Sequence, residues 1–384
     1  MPLDQTKIVS LIFEEVVVPA NPGAINAKGA DKPLHTQPLG GKASFSVQFD
    51  DIPKILLRME LENGVVGWGE FHRAANWGTI EDIAQGLLGT ALCGLSLRHL
   101  AIPHCAEYDG FELAIWDAWA KCLDLPLYQL LGGKNKDKVL VTAWSGHQTV
   151  DDIGAVAKRF QDQGYRNYKF KCDLEDDVVG LCAAVAKHAP KLKITLDPNQ
   201  RWQRPGEVRS RLRALEKIGN VLVLEDPVAH WRMSEYRHFR DFTSINIARH
   251  VSSADSYQGQ RSHNVLNAVL HDSVDGFNFN GNLKDFQDMD TVASMADLPC
   301  WHGSGVDLGI LEARYVHQAA AARSCIWASD IFGRLIRSHD LLKTPLEITP
   351  PFVQVPNGPG IGVEPDQKAI EKFRVGGKTY EWQG

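Results

Sequence analysis

Lys169 and Lys171 stand one residue apart in the stretch NYKFKCD, residues 167–173. Alternate side chains of a strand point to opposite faces, so the two lysines share one face and Tyr168, Phe170 and Cys172 the other. Ammonium groups are almost never buried without partners. Carboxylates stand where partners are needed: Asp197 in LDPN and Glu225 in LEDP, each about one strand–helix repeat after the last. His250 in IARH follows at a similar interval. Consecutive parallel strands would hold Asp197, Glu225 and His250 side by side, as a metal site requires. A mainly oxygen donor set suits a hard ion such as Mg2+, and an imidazole also admits Mn2+. A carboxylate substrate at such an ion would place its α-proton within reach of a lysine. The ion and a second ammonium would stabilise the enediolate left behind. The chemistry indicated is therefore proton abstraction, with Lys171 as the base and Lys169 as the cation that holds the substrate carboxylate.

These residues need a frame that brings strand ends together. From about residue 138 short apolar runs alternate with helical stretches: KVLVTAWS, NYKFKC, LKITLDPN, VLVLEDP, SINIARH, VDGFNFNG, DLPCWHGS and CIWASDI. Strands alternating with helices argue for a parallel sheet, and eight of them for a TIM-type barrel, whose function sits at the carboxyl ends of the strands. No Gly-rich phosphate loop follows the first run, which weighs against a nucleotide-binding sheet. Those ends also carry Asn199, Asn278, Asn280, His302 and Asp330. The first 135 residues read differently. ILLRMELENGVVGWGEFH is a strand, an Asn-Gly turn and a strand, and GFELAIWDAWAKCL is a helix whose Trp116 and Trp119 are core. A long Gly- and Pro-rich stretch over residues 19–38 reads as a lid.

The bulk numbers set limits. With 384 residues, 44% apolar and 23% charged, the chain suits a soluble α/β protein of two or three domains. A net charge of −6 with no basic block excludes a nucleic-acid surface. No apolar run reaches the roughly 18 residues that span a bilayer, and the start lacks a signal peptide's basic region. Seven scattered cysteines with no CxxC pair fit free thiols and a cytoplasmic location.

The chain resembles the enolase superfamily, in its mandelate racemase/muconate lactonizing branch. VVGWGEFH looks like that family's capping hairpin, and AIWDAWAKCLDLPLYQLLGG like its following helix and turn. YKFKCD carries its Lys-x-Lys, LDPN and LEDP its first two metal ligands, and PNGPGIGVEPD its C-terminal return. The resemblance implies a modified (β/α)7β barrel over residues 136–349, and an α+β capping domain of 1–135 completed by 350–384. It also implies Mg2+ and no organic cofactor. Where relatives carry a third carboxylate ligand stands His250, with Asp255 as its competitor. One type of galactarate dehydratase looks similar in using a histidine there.

Other departures bear on the reaction. On the sixth strand Asn280 stands where relatives have Lys or Asp, which removes a second lysine base. The seventh strand offers His302, one residue early for a racemase-type histidine, and Asp307 where a Glu is usual. With one lysine base and His302 to protonate a leaving hydroxyl, the expectation is dehydration of an acid sugar to a 2-keto-3-deoxy acid. Racemisation or epimerisation, cycloisomerisation, and non-catalytic sugar-acid binding are the alternatives. His35, His72 and Arg73, in or beside capping loops, would contact a polyhydroxy substrate, together with Asn199, Asn280 and Asp330. A register shift would instead face Arg166 and Tyr168 inward. The expected partner is a small carboxylate and the expected assembly a homo-oligomer.

Overall fold

The computed structural model describes residues 6–25, 52–73, 75–173, 175–202, 204–252 and 260–384. Strands β1 (Ile8–Val16), β2 (Lys54–Leu61) and β3 (Val66–Glu70) come first, followed by helices α1 (Trp77–Leu87), α2 (Tyr108–Cys122) and α3 (Leu127–Leu130). Strand β4 (Lys138–Leu140) leads into seven strand–helix units. These are β5 (Ala143–Ser145) with α4 (Val150–Asp162), β6 (Asn167–Lys171) with α5 (Val178–His188), and β7 (Lys193–Asp197) with α6 (Pro205–Ile218). Next come β8 (Val221–Glu225) with α7 (Met233–Phe242), and β9 (Asn246–Val251) with α8 (Gln260–Leu270). The last two are β10 (Gly276–Phe279) with α9 (Leu283–Met295), and β11 (Cys300–His302) with α10 (Gly309–Ala321). The chain ends through α11 (Gly333–Ile336), β12 (Ile348–Thr349), β13 (Phe352–Gln354), α12 (Gln367–Phe373) and β14 (Arg374–Glu381).

Strands β5 to β11 form one parallel sheet in sequence order. The expected eighth strand, CIWASDI, is not a regular strand but serves as the closing stave. Cys325 bridges Cys300 of β11, and Ser329 bridges Val141 beside β5. The Ser329 N–H donates to the Leu140 carbonyl (2.8 Å) and the Asp330 N–H to the His302 carbonyl (2.8 Å). The sheet is thus a (β/α)7β barrel: the alternation of runs indicated a barrel, and the family resemblance implied this form of it. Helix boundaries follow local chemistry: α6 opens with Pro205 in its first turn and stops at Gly219, whose φ of +77° suits a residue without a Cβ.

A separate antiparallel sheet, in the order β14-β1-β2-β3, caps the barrel. Helix α2 lies on β3 so closely that a Cβ at Gly69 would sit 2.2 Å from the Gly110 carbonyl oxygen. One at Gly67 would sit 2.2 Å from that of Ala114. The alternate glycines of VGWGE are therefore a packing requirement of this contact. The C-terminal segment divides: β14 joins the capping sheet, whereas β12 and β13 form a small sheet with β4. Residues 352–354 accordingly pair with β4 rather than with the capping sheet, and Val353 is buried.

Candidate active site

Strand β6 turns Tyr168 and Phe170 outward. Both are 0% exposed, and Tyr168 packs at 5.3 Å on Phe160 of α4. Its hydroxyl meets Ser145 Oγ at 2.6 Å. Arg166 lies exposed before the strand. The alternative register, with Arg166 and Tyr168 facing inward, is therefore not the one adopted: the aromatic side chains take the helix-facing layer, and Lys169 and Lys171 are left inside.

Lys169 is buried among carboxylates, with Nζ 2.6 Å from Glu225 Oε2, 2.9 Å from Asp330 Oδ2 and 3.4 Å from Asp197 Oδ2. Burial works against its charge, but Asp330, Glu225 and Asp197 outweigh it and hold the ammonium pKa well above the ordinary range. Lys169 thus remains a cation. Lys171, closer to the mouth, donates to Asp197 and to Asn199 Oδ1 (2.7 Å). Asp197 resists burial because the Lys171 and Lys169 ammonium groups keep its carboxyl below the usual carboxylate range. Glu225 is pushed up to about 8 by burial and the charge of Asp197.

Asp197, Glu225 and His250 end or nearly end three neighbouring staves. His250 Nδ1 lies 3.5 Å from Glu225 Oε1. Burial lowers the imidazole to about 4, leaving it neutral at pH 7 and able to ligate. Among the described residues no three His, Cys, Asp or Glu side chains already stand in metal-ligand geometry; the carboxylates are gathered instead around Lys169. The donor set nevertheless fits a divalent cation. Two buried carboxyls and a neutral imidazole at adjoining strand ends supply the oxygen and nitrogen donors that such an ion takes.

Other polar groups complete the mouth. Asn278 Nδ2 donates to Glu225 Oε1 (2.7 Å), and Asn280 Nδ2 lies 3.3 Å from His250 Nε2. Asn278 Oδ1, Asn280 Oδ1 and Asp330 Oδ1 are buried and find no donor among the described residues. Three oxygens without donors need donors from elsewhere, such as substrate hydroxyls.

The structure moves several expected residues out of the site. His302 points into the helix layer, stacked at 4.0 Å on Tyr315 and 4.8 Å on Phe286. Its Nε2 meets Gln318 Oε1 at 3.1 Å, and burial lowers it to about 3. It does not reach the lysines. The inward residue of β11 is Trp301, which packs with Val223 and Ala248 and lies 5.5 Å under Lys169 Nζ. Asp307 is equally committed: it pairs with Lys54 (2.5 Å) and accepts from Tyr315 Oη (2.6 Å) and the Gly305 N–H (2.6 Å).

Of the capping residues, His72 is held between Asp109 (3.2 Å) and Asp307 (3.7 Å). Burial lowers its pKa, yet the two carboxylates raise it above the ordinary value overall. Arg73 Nη1 reaches the Gly305 carbonyl (3.4 Å). Both belong to the seam between cap and barrel. His35 and Asp255 lie outside the described residues, as do residues 26–38 of the expected lid. Sequence reasoning missed Arg201, which is buried behind Asn199, and Lys54, which joins Asp307 to Glu70. A lone lysine at the start of an apolar strand was the signal for Lys54.

Comparison with known proteins agrees with this fold. The family model described as "Enolase C-terminal domain-like" matches residues 152–369. The chain is 25% identical over 335 residues to an L-Ala-D/L-Glu epimerase of Bacillus subtilis, covering 80% of this chain and 88% of that protein. It is 25% identical over 363 residues to an o-succinylbenzoate synthase of Geobacillus stearothermophilus, covering 88% and 94%. The solved N-succinyl Arg/Lys racemase of Bacillus cereus superimposes with a TM-score of 0.79 at 20% identity, over 98% of this chain and 100% of that one. The chain belongs to the enolase superfamily, in its mandelate racemase/muconate lactonizing enzyme type.

Proposed function

We propose that the protein removes the proton α to a carboxylate with a base on one face only, and then eliminates a β-hydroxyl from an acid sugar. What supports this is that both lysines stand on β6, whereas His250 stands on β9 and Asn278 and Asn280 on and just after β10, three and four staves away in the sheet. Asp197, Glu225 and His250 would hold Mg2+ or Mn2+, which when bound polarises the substrate carboxylate. Lys169, fixed as a cation, holds that carboxylate. Lys171 in its neutral form takes the α-proton, and the C–H electrons become the enediolate. Those electrons then form the Cα–Cβ double bond as the Cβ–O bond breaks. With His302 turned away, the Lys171 ammonium just formed is the acid on the same face, so the hydroxyl leaves as water by syn elimination. The enol tautomerises to the 2-keto-3-deoxy acid. The unpaired oxygens of Asn278, Asn280 and Asp330 support a hydroxyl-rich substrate.

The second reading is an isomerase, and the named activities of several relatives favour it. Inversion by two bases needs an acid or base on the far face as well. On the described far wall the imidazole of His250 is taken up as a metal ligand and the other groups are amides, so cycloisomerisation with one lysine is the isomerase reading that suits the site better. A panel of mono- and diacid sugars incubated with Mg2+ in D2O separates these. Deuterium at the α-carbon together with keto-deoxy acid is the expected result. Exchange with inverted or cyclised product and no keto acid would establish the isomerase.

A further inference from the structure

The base has a support that its own strand does not explain. Lys171 Nζ donates to Asn199 Oδ1 (2.7 Å), but Asn199 sits at φ +46° and the next residue, Gln200, at φ +67°. Two consecutive side-chain-bearing residues in the left-handed region are strained and persist only where their surroundings hold them. Asp226, on the neighbouring loop, is also left-handed at φ +46°. The Gln200 N–H donates to the Asp226 carbonyl (2.6 Å), and Gln200 Oε1 accepts from the His230 N–H (3.1 Å). These bonds fix Gln200. The Asn199 carbonyl is held by Arg201, whose Nη1 donates to it at 2.8 Å.

Arg201 is 0% exposed. Its Nε lies 3.7 Å from Asp173 Oδ1, two residues beyond Lys171 on the segment that leaves β6. Asp173 is in turn set by its surroundings: its N–H donates to Asp176 Oδ2 (2.7 Å), and that carboxylate also meets His147 Nδ1 (3.0 Å). One buried guanidinium therefore touches both segments whose side chains form the Lys171–Asn199 bond, the loop carrying the acceptor and the strand end carrying the donor. The planar guanidinium offers donors in a fixed fork, so its contacts to the two segments are set in direction as well as distance, unlike those of a rotating ammonium.

We propose that Arg201 is a positioning residue that aims Lys171 at the substrate by holding Asn199 in its strained conformation. The proposal rests on the reading of Lys171 as the base. A misplacement of about 1 Å away from the chemistry can cost about a hundredfold. R201Q should therefore lower kcat for α-proton exchange by roughly a hundredfold while KM changes by less than about threefold. The deciding measurement is a double-mutant cycle with N199A. If Arg201 acts through Asn199, R201Q adds little further loss in the N199A background. Additive losses would overturn the proposal and leave Arg201 a packing residue. R201K keeps the buried charge without the fork and replaces R201Q in the cycle if the latter does not fold. If the wild-type protein exchanges no acid in the panel, the functional reading falls, and the proposal is judged on the crystal structure of R201Q. Release of Asn199 from Lys171 would support it there, and an unchanged contact would overturn it.

Discussion

Charge at the mouth is divided between two lysines with different surroundings, and this sets different expectations for them. Lys169 touches three carboxylates, whereas Lys171 touches one carboxylate and one amide. Lys171→Ala should remove α-proton exchange while circular dichroism and Mn2+ binding stay near wild type. Exchange within about tenfold of wild type would take the base role from it. His302→Asn gives the opposite expectation. The ring lies between Phe286 and Tyr315, so the variant should lose about 1–3 kcal/mol in urea unfolding and keep its exchange rate within a few-fold. The third candidate ligand is tested by metal affinity. His250→Asn should weaken Mn2+ binding, followed by EPR, by at least about tenfold. The same loss in Asp255→Asn, with none in His250→Asn, would move the ligand to Asp255.

At the scale of elements, carboxylates of the capping helix and hairpin finish barrel helices. Glu112 of α2 accepts the Leu283 N–H (2.5 Å) and the Lys284 N–H (3.2 Å) at the start of α9. Glu70 of β3 accepts the Leu308 and Leu311 N–H groups (2.8 and 3.0 Å) at the start of α10. Donors of a first helical turn otherwise lack partners. Burial and the nearby charge of Asp109 push Glu112 up to about 8. The folded protein therefore keeps a proton that the unfolded chain loses near the ordinary value of 4.5. That contribution is complete below the ordinary value and is lost as pH rises towards about 8. Urea midpoints should fall across this window, and Glu112→Gln should flatten the fall. An unchanged slope would show that Glu112 ionises freely.

For the whole molecule the decisive contact is the buried seam joining cap to barrel. Lys54 of β2 bridges Glu70 (3.0 Å) and Asp307 (2.5 Å). Arg261 of α8 bridges Asp109 (3.2 Å) and Asp285 (3.1 Å), with His72 between Asp109 and Asp307. Removing one member of such a network strands buried charge at a cost of about 3–5 kcal/mol. Lys54→Met should therefore lower stability by about that much and open the cap, read as faster proteolysis at residues 52–73. Lys54→Met combined with Asp307→Asn should recover part of the loss. Among the described residues no helix is long and apolar enough to cross a membrane.

The sequence by itself determined the alternation of strands and helices, hence the barrel, because backbone periodicity and side-chain polarity are local properties. It also determined that Lys169, Lys171, Asp197 and Glu225 share one mouth, since the repeat length of a strand–helix unit fixes which residues end neighbouring staves. The VGWGE glycines were legible as a hairpin, but the helix they admit was not, because the Gly110 and Ala114 carbonyls come from a distant segment. Register at the seventh stave was decided only in three dimensions. A shift of one residue exchanges the two faces of a strand, so the choice between Trp301 and His302 rested on which side chain the aromatic layer of α9 and α10 could accept. The partners of Asp307, His72 and Arg201 lie on other elements, and short-range spacing carries no trace of them. Tertiary packing alone made Asp307 and His72 members of the seam and placed Arg201 behind the base.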